Sequence, residues 1–153
     1  MLERILPPRI DNDDRGLRAA IWLYAPVLLM KTAIALGTIF NGRNAAQGAD
    51  GVPLASLGAA ADTVVALYAL WGLGQLVICG FGWLALVRYR ALLPLMLVAL
   101  LFEQLARKAI LAALPIPSAG GTPGFFINLA LAAALAVGLA LSLRRRRDAR
   151  PPG

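Results

Sequence analysis

The sequence predicts an all-α integral membrane protein organised as a four-transmembrane-helix bundle. Hydrophobic residues make up 59% of the 153 residues and charged residues only 15%, whereas a soluble domain carries about 25% charged residues. The apolar residues fall into four runs, each of about the 20 residues that cross a bilayer core as a helix. Because lipid offers no water to unpaired backbone groups, runs of this length indicate helices rather than strands.

The first predicted span covers residues 19–40 and follows a polar arm, residues 1–18. Its one charged residue is Lys31. A cleaved signal peptide is the alternative interpretation, but its apolar core would be only about 7–15 residues long and would end at small residues. This run is longer and ends at Phe40 and Asn41, so we expect it to remain as a span.

Turn-forming residues separate the other spans. Asp50-Gly51 is a typical turn dipeptide, and Asp62 or Thr63 is suited to cap the helix that follows. A short basic connection comes after the second span, and a Pro/Gly-rich loop precedes the fourth. The three later spans are predicted at residues 63–87, 91–114 and 125–143.

The distribution of basic residues predicts the orientation in the cell membrane. Eleven of the 15 lysines and arginines lie in the arm, in the connection 88–90 and in the basic tail, residues 144–153. The two opposite loops contain only Arg43. Since cytoplasmic loops carry the excess of Lys and Arg, both termini are expected in the cytoplasm. The tail arginines directly follow a span, which favours a membrane anchor, and no nucleic-acid partner is predicted.

Three polar residues are predicted to lie at one depth inside the bundle. Lys31, Gln75 and Glu103 each stand 13 residues from an arginine at the cytoplasmic end of their span, which corresponds to about 20 Å along a helix. A charge at such a depth costs about 2.5–3.5 kcal/mol, so opposite charges should meet there. We therefore expect Lys31 to face Glu103, with Gln75 bridging them, as a binding site or as a structural clamp.

The spacing of small and polar residues predicts which helix faces are buried. A seven-residue spacing or steps of three and four place side chains on one face of a helix. Small residues on such a face let helix backbones approach closely in a membrane. Three faces follow this pattern: Tyr24, Lys31 and Thr38 in the first span; Tyr68, Gly72, Gln75, Cys79 and Gly82 in the second; and Ala130, Ala134, Gly138 and Ser142 in the fourth.

Two further charges, Arg107 and Lys108, are expected nearer the outer leaflet. Because Arg107 stands four residues after Glu103, a pair within the third helix is an alternative to the pair with Lys31. The four intramembrane charges sum to +2, which predicts binding of an anion: a lipid headgroup, a fatty-acid carboxylate or a small solute. Alternatively, both side chains extend to the headgroup region and have no other role.

Residues that commonly act in catalysis or bind metals and haem are scarce in this chain. The chain has no histidine and one cysteine, Cys79, which excludes histidine-ligated haem, most zinc sites and histidine general bases. No catalytic residue, metal or cofactor is predicted, and a function other than catalysis is favoured.

Three functions remain after these exclusions. The first is a lipid- or anion-binding or membrane-complex assembly protein, whose partners are membrane lipids, further copies of the chain or another membrane protein. The second is an oligomeric carrier of an anion or proton, gated by Lys31 and Glu103. The third is a membrane enzyme that acts on a lipid with Glu103 as acid or base.

Overall fold

The computed structural model describes residues 18–114 and 122–143, and these residues are helical with no β-strand. Four long helices follow one another: α1 (Arg18–Phe40), α2 (Ala60–Arg88), α3 (Leu93–Ala113) and α4 (Pro123–Leu143). The predicted tail and most of the predicted arm lie outside the described residues, and so does the segment 115–121.

Three of the four helices are long and apolar enough to cross a membrane, namely α1, α2 and α4. Helix α3 has 21 residues, which is sufficient length, but it carries Glu103, Arg107 and Lys108 within them. Length and composition therefore indicate a helical membrane protein with three candidate spans. They do not by themselves assign α3 as the fourth.

The predicted cap of α2 is wrong. The helix begins at Ala60, before Asp62 and Thr63, and its N-terminus has no side-chain cap. It begins early because Gly58 adopts a positive φ of 53° and its carbonyl accepts the amide hydrogen bond of Ala61. Asp62 lies instead in the first turn, where a carboxylate favours a helix N-terminus, and it accepts a hydrogen bond from Arg43 Nη2 at 2.8 Å.

The connection between α1 and α2 is mostly helical rather than an irregular loop. It contains short turns at Gly42–Asn44, Ala45–Ala49 and Leu54–Leu57. Gly51, with φ 69°, makes the turn predicted there. These turns form a small core of their own against the first part of α2, composed of Ala46, Val52, Leu54, Ala61, Val64, Val65 and Tyr68.

The four helices enclose one elongated core. Helix α1 packs against α2 and α4, and α3 packs against α4, whereas α2 and α3 approach each other less closely. The core contains Leu28, Leu97, Leu100 and Leu135. Large apolar side chains cover the outside of the bundle, for example Trp22, Phe81, Phe102, Leu105 and Val137. An apolar exterior around buried polar groups is the arrangement that lipid as solvent requires.

Two of the three predicted buried faces are confirmed and the third is partly wrong. Tyr24, Lys31 and Thr38 are all buried in α1. The small residues of the predicted α2 face are also buried, with Tyr68 and Gln75 partly so. In α4, however, Ala130 is exposed, because Leu131 and Leu135 fill the core instead. The buried residues of α4 are Gly124, Leu131, Leu135, Gly138 and Ser142.

Replacing Gly124 by Ala is expected to weaken the packing of the α1–α2 connection against the N-terminus of α4. A Cβ at this position would lie 2.6 Å from the carbonyl oxygen of Ala49 and 2.8 Å from Asp50 Oδ1. Since the backbone of Ala49 has to move, we expect a loss of about 1–2 kcal/mol, measured by reversible unfolding in detergent. Gly48→Ala in the same connection is the control, because its Cβ would meet only Asn44 Oδ1 at 3.6 Å; an equal loss in both variants would contradict the expectation.

Candidate functional site

A buried ion pair joins α1 to α3 in the middle of the bundle. Lys31 is only 3% exposed, and its Nζ donates a hydrogen bond to Glu103 Oε2 at 3.0 Å. Gln75 of α2 donates from Nε2 to the other carboxylate oxygen, Oε1. The structure thus brings together the three residues predicted to share one depth, and we call them the polar layer.

Charge is balanced within the polar layer. The carboxylate of Glu103 has a partner at each oxygen, and the one positive charge beside it is that of Lys31. The alternative pair with Arg107 is not formed, since the guanidinium of Arg107 contacts other groups. A buried pair of this kind makes the relative positions of α1, α2 and α3 specific, because removal of one partner leaves an uncompensated charge.

A second polar group, which we call the Arg107 cluster, joins α2, α3 and α4. Arg107 Nη2 donates to Gln104 Oε1 at 2.8 Å and to Asn128 Oδ1 at 2.6 Å. The guanidinium carbon lies 4.7 Å from the ring centroid of Trp71, which is within the range of a cation–π interaction. Amide oxygens and an aromatic face orient the guanidinium group, but they do not neutralise its charge.

The nearby carboxylates are engaged elsewhere. Glu103 pairs with Lys31, Asp62 pairs with Arg43 at 2.8 Å, and Asp50 Oδ2 accepts a hydrogen bond from the Tyr68 hydroxyl at 2.9 Å. These are the only acidic residues between positions 18 and 143. Within the part of the chain that the structure describes, no carboxylate therefore forms an ion pair with Arg107.

Two buried hydrogen-bond donors of the Arg107 cluster have no acceptor among the described residues. They are Gln104 Nε2 and Arg107 Nε, and the Gln104 side chain is 0% exposed. A buried donor without an acceptor costs about 1–3 kcal/mol. The cluster therefore combines a positive charge that pairs with no described carboxylate and two buried donors that have no acceptor.

Lys108 does not share the partners of Arg107. Its Nζ lies 4.9 Å from the ring centroid of Phe125, at the N-terminal end of α4. The two predicted anion-binding residues are therefore adjacent in sequence but contact different groups.

The sequence analysis missed Gln104, Asn128 and Trp71 as parts of the site. Asn128 could have been noticed, because it and Ser142 are the only two polar residues in α4.

Polar side chains continue on the other side of the polar layer, toward the turn between α2 and α3. Trp83 Nε1 donates to Thr32 Oγ1 at 3.1 Å, and Thr32 Oγ1 donates to the carbonyl of Leu28 at 2.8 Å. The Tyr24 hydroxyl is buried there without a partner among the described residues. Polar groups thus extend along the bundle from Tyr24 to the Arg107 cluster.

Comparison of the chain with protein-family models, curated proteins and solved structures gives no match. The site is therefore interpreted from its own geometry. Within residues 18–114 and 122–143, no three His, Cys, Asp or Glu side chains group closely enough to hold a metal ion. What the described geometry offers is a neutral polar layer and, one helical turn away on α3, a cationic cluster.

Proposed function

We propose that this chain is a four-span protein of the cell membrane that binds an anion at the Arg107 cluster. The assignment of α3 as a span is supported by its length, because 21 residues extend about 30 Å as a helix. It is also supported by the surface of α3. Glu103, Gln104 and Arg107 are at least partly buried, whereas Phe102 and Leu105 are exposed and apolar.

The proposed orientation places both termini and the α2–α3 turn in the cytoplasm. It rests on the excess of basic residues in those segments. Arg107 stands six residues before the end of α3 at Ala113, which corresponds to about 9 Å from the opposite end of the helix. Since a helix of about 30 Å matches the thickness of the hydrocarbon core, this position lies in the outer half of that core, below the headgroup level where the anionic groups of lipids are found.

The observation that carries this function is the uncompensated charge of Arg107. A cation at membrane depth is costly unless it is paired, and the hydrogen bonds that Arg107 donates to the amide oxygens of Gln104 and Asn128 leave its charge intact. An anion beside the guanidinium of Arg107, whose side chain is only partly buried, would supply the missing counter-charge. The polar layer then acts as a clamp that fixes α3 relative to α1 and α2.

Arg107→Gln is expected to abolish anion binding while keeping the fold. The wild-type protein in neutral detergent should gain thermal stability on titration with phosphate, acetate or an anionic lipid, because a ligand that binds only the folded state stabilises it. Arg107→Gln should lose this gain, since the charge is gone. Arg43→Gln is the matched control, because Arg43 is exposed and paired with Asp62. Equal responses of the wild type and Arg107→Gln to every anion would refute the function.

A small oligomeric carrier of an anion or proton is the second candidate. It is favoured by the polar groups that extend along the bundle from Tyr24 through the polar layer to Arg107. A carrier requires flux across the bilayer, which a binding protein does not show. Reconstituted vesicles with an anion gradient or a pH gradient separate the two, and flux that is lost in Glu103→Gln supports the carrier.

A further inference from the structure

On the side of the bundle between α2 and α3, the two helices pack less closely than neighbouring helices do on the other sides. Among the described residues, the side-chain contacts that bridge them include the hydrogen bond from Gln75 to Glu103 and the contact of Arg107 with Trp71. The cationic group of the site therefore lies on the side where backbone packing is loosest.

The surface on this side is apolar and contains small residues. Steps of three and four along each helix place Gly74 beside Trp71, and Ala99 and Ala106 beside Glu103. Gly74 and Ala99 are exposed, and no atom lies within 4 Å of the position of a Gly74 Cβ. We call this surface, composed of Leu67, Trp71, Gly74, Ala99, Ala106 and Ile110, the α2–α3 face. Leu67, Gly74, Ala99 and Ile110 of this face are exposed, so acyl chains of neighbouring lipids can contact it.

Tyr68 and Asp50 lie between the Arg107 cluster and the end of the bundle where α2 begins. Tyr68 stands one turn before Trp71 in α2, and the two rings meet edge to face at 5.9 Å. The hydroxyl of Tyr68 donates to Asp50 at the end of the bundle where α2 begins. An anion that approached from the water at this end would meet the carboxylate of Asp50, which repels it, as well as Lys108, whose Nζ lies near Phe125 at the start of α4. A lipid headgroup that is drawn inward from the outer leaflet along the side between α2 and α3 reaches Arg107 without passing Asp50.

We propose that the anion at the Arg107 cluster is the phosphate of a membrane phospholipid, which reaches Arg107 sideways from the bilayer across the α2–α3 face. This inference rests on the proposed function and names its ligand. A phosphodiester carries one negative charge, equal and opposite to that of Arg107, and its oxygens accept hydrogen bonds from guanidinium groups. Its acyl chains cover the apolar α2–α3 face.

The test compares lipid with free phosphate and blocks only the lateral route. Ala106→Trp places a bulky ring on the α2–α3 face next to Arg107, and Leu105→Trp, on the exposed surface of α3, is the matched control. Native mass spectrometry measures binding of phosphatidylglycerol and phosphatidylcholine to the delipidated full chain. Titration with inorganic phosphate is followed by the thermal stability of the same samples.

We expect one phosphatidylglycerol molecule per site, bound more tightly than phosphatidylcholine. The affinity for phosphatidylglycerol should be at least tenfold lower in Ala106→Trp and unchanged in Leu105→Trp. If inorganic phosphate stabilises the protein as much as the lipid does, and still does so in Ala106→Trp, the lipid inference is overturned and anion binding stands. Lipid binding that survives in Ala106→Trp overturns the lateral route. Lipid binding unaffected by Arg107→Gln overturns the proposed function itself. A thermal melt of each variant without ligand shows that the fold is retained.

Discussion

Lys31→Met is expected to destabilise the protein by about 3–5 kcal/mol, the usual cost of removing one partner of a buried ion pair. The change leaves the carboxylate of Glu103 inside the bundle with only the amide of Gln75 as a partner. Loss of the attractive charge matters more than loss of volume, because Lys and Met side chains have similar lengths. Reversible unfolding in mixed micelles measures the free energy.

The double variant Lys31→Met with Glu103→Leu should recover a large part of that loss. It contains no lone buried charge, so the coupling energy between the two positions isolates the ion pair from other effects of each substitution. Lys108→Met is the matched single control, since Lys108 contacts the ring of Phe125 rather than a carboxylate. Additive losses in the double variant would contradict the role of the pair as a clamp.

Gly72→Leu should open the closest helix contact in the bundle, that between α1 and α2. A Cβ at Gly72 would already lie 2.9 Å from the carbonyl oxygen of Ala35 and 3.0 Å from Ile39 Cγ1. A full leucine side chain cannot be accommodated without separating the two backbones, so we expect a loss of about 3 kcal/mol. The measurement is the same unfolding titration, combined with crosslinking between α1 and α2.

Gly74→Leu is the control for Gly72→Leu. Both glycines lie in α2, so the change in helix propensity is equal, but no atom lies within 4 Å of a Cβ at Gly74. The difference in stability between the two variants therefore reports the α1–α2 contact alone. Similar stability of both variants would show that the two helices do not pack through Gly72.

The polar layer was predictable because few residues compete for its role. Lys31 and Glu103 are opposite charges at one depth, and burial of either one alone is costly, so a pair between them was expected. The sequence also allowed a pair of Glu103 with Arg107, and only the contacts of Arg107 in the structure decide between the two. The buried faces of α1 and α2 were predictable for a related reason. Small and polar residues recur there at helical spacing among otherwise large apolar side chains.

The Arg107 cluster was not predictable in the same way. Contact between Arg107 and Asn128 depends on the rotation of α3 and α4 about their axes, and spacing within one helix does not determine that rotation. The face of α4 was mispredicted because alanines occur all around this helix, so their repeat does not select one side. The helical turns between α1 and α2 were missed because they are stabilised by packing of Ala46 and Leu54 against α2 rather than by strong local signals.

The charges of α3 also have a consequence for how the protein is made. As an isolated segment in lipid, α3 would expose Glu103 at a cost of about 2.5–3.5 kcal/mol, and also Arg107 and Lys108, at a smaller cost because they lie nearer the end of the helix. Helices α1 and α2 are synthesised earlier, and they carry Lys31, Gln75 and Trp71. In the proposed four-span topology, integration of α3 into the bilayer is therefore coupled to its association with α1 and α2, so insertion and tertiary assembly become a single step for this part of the chain.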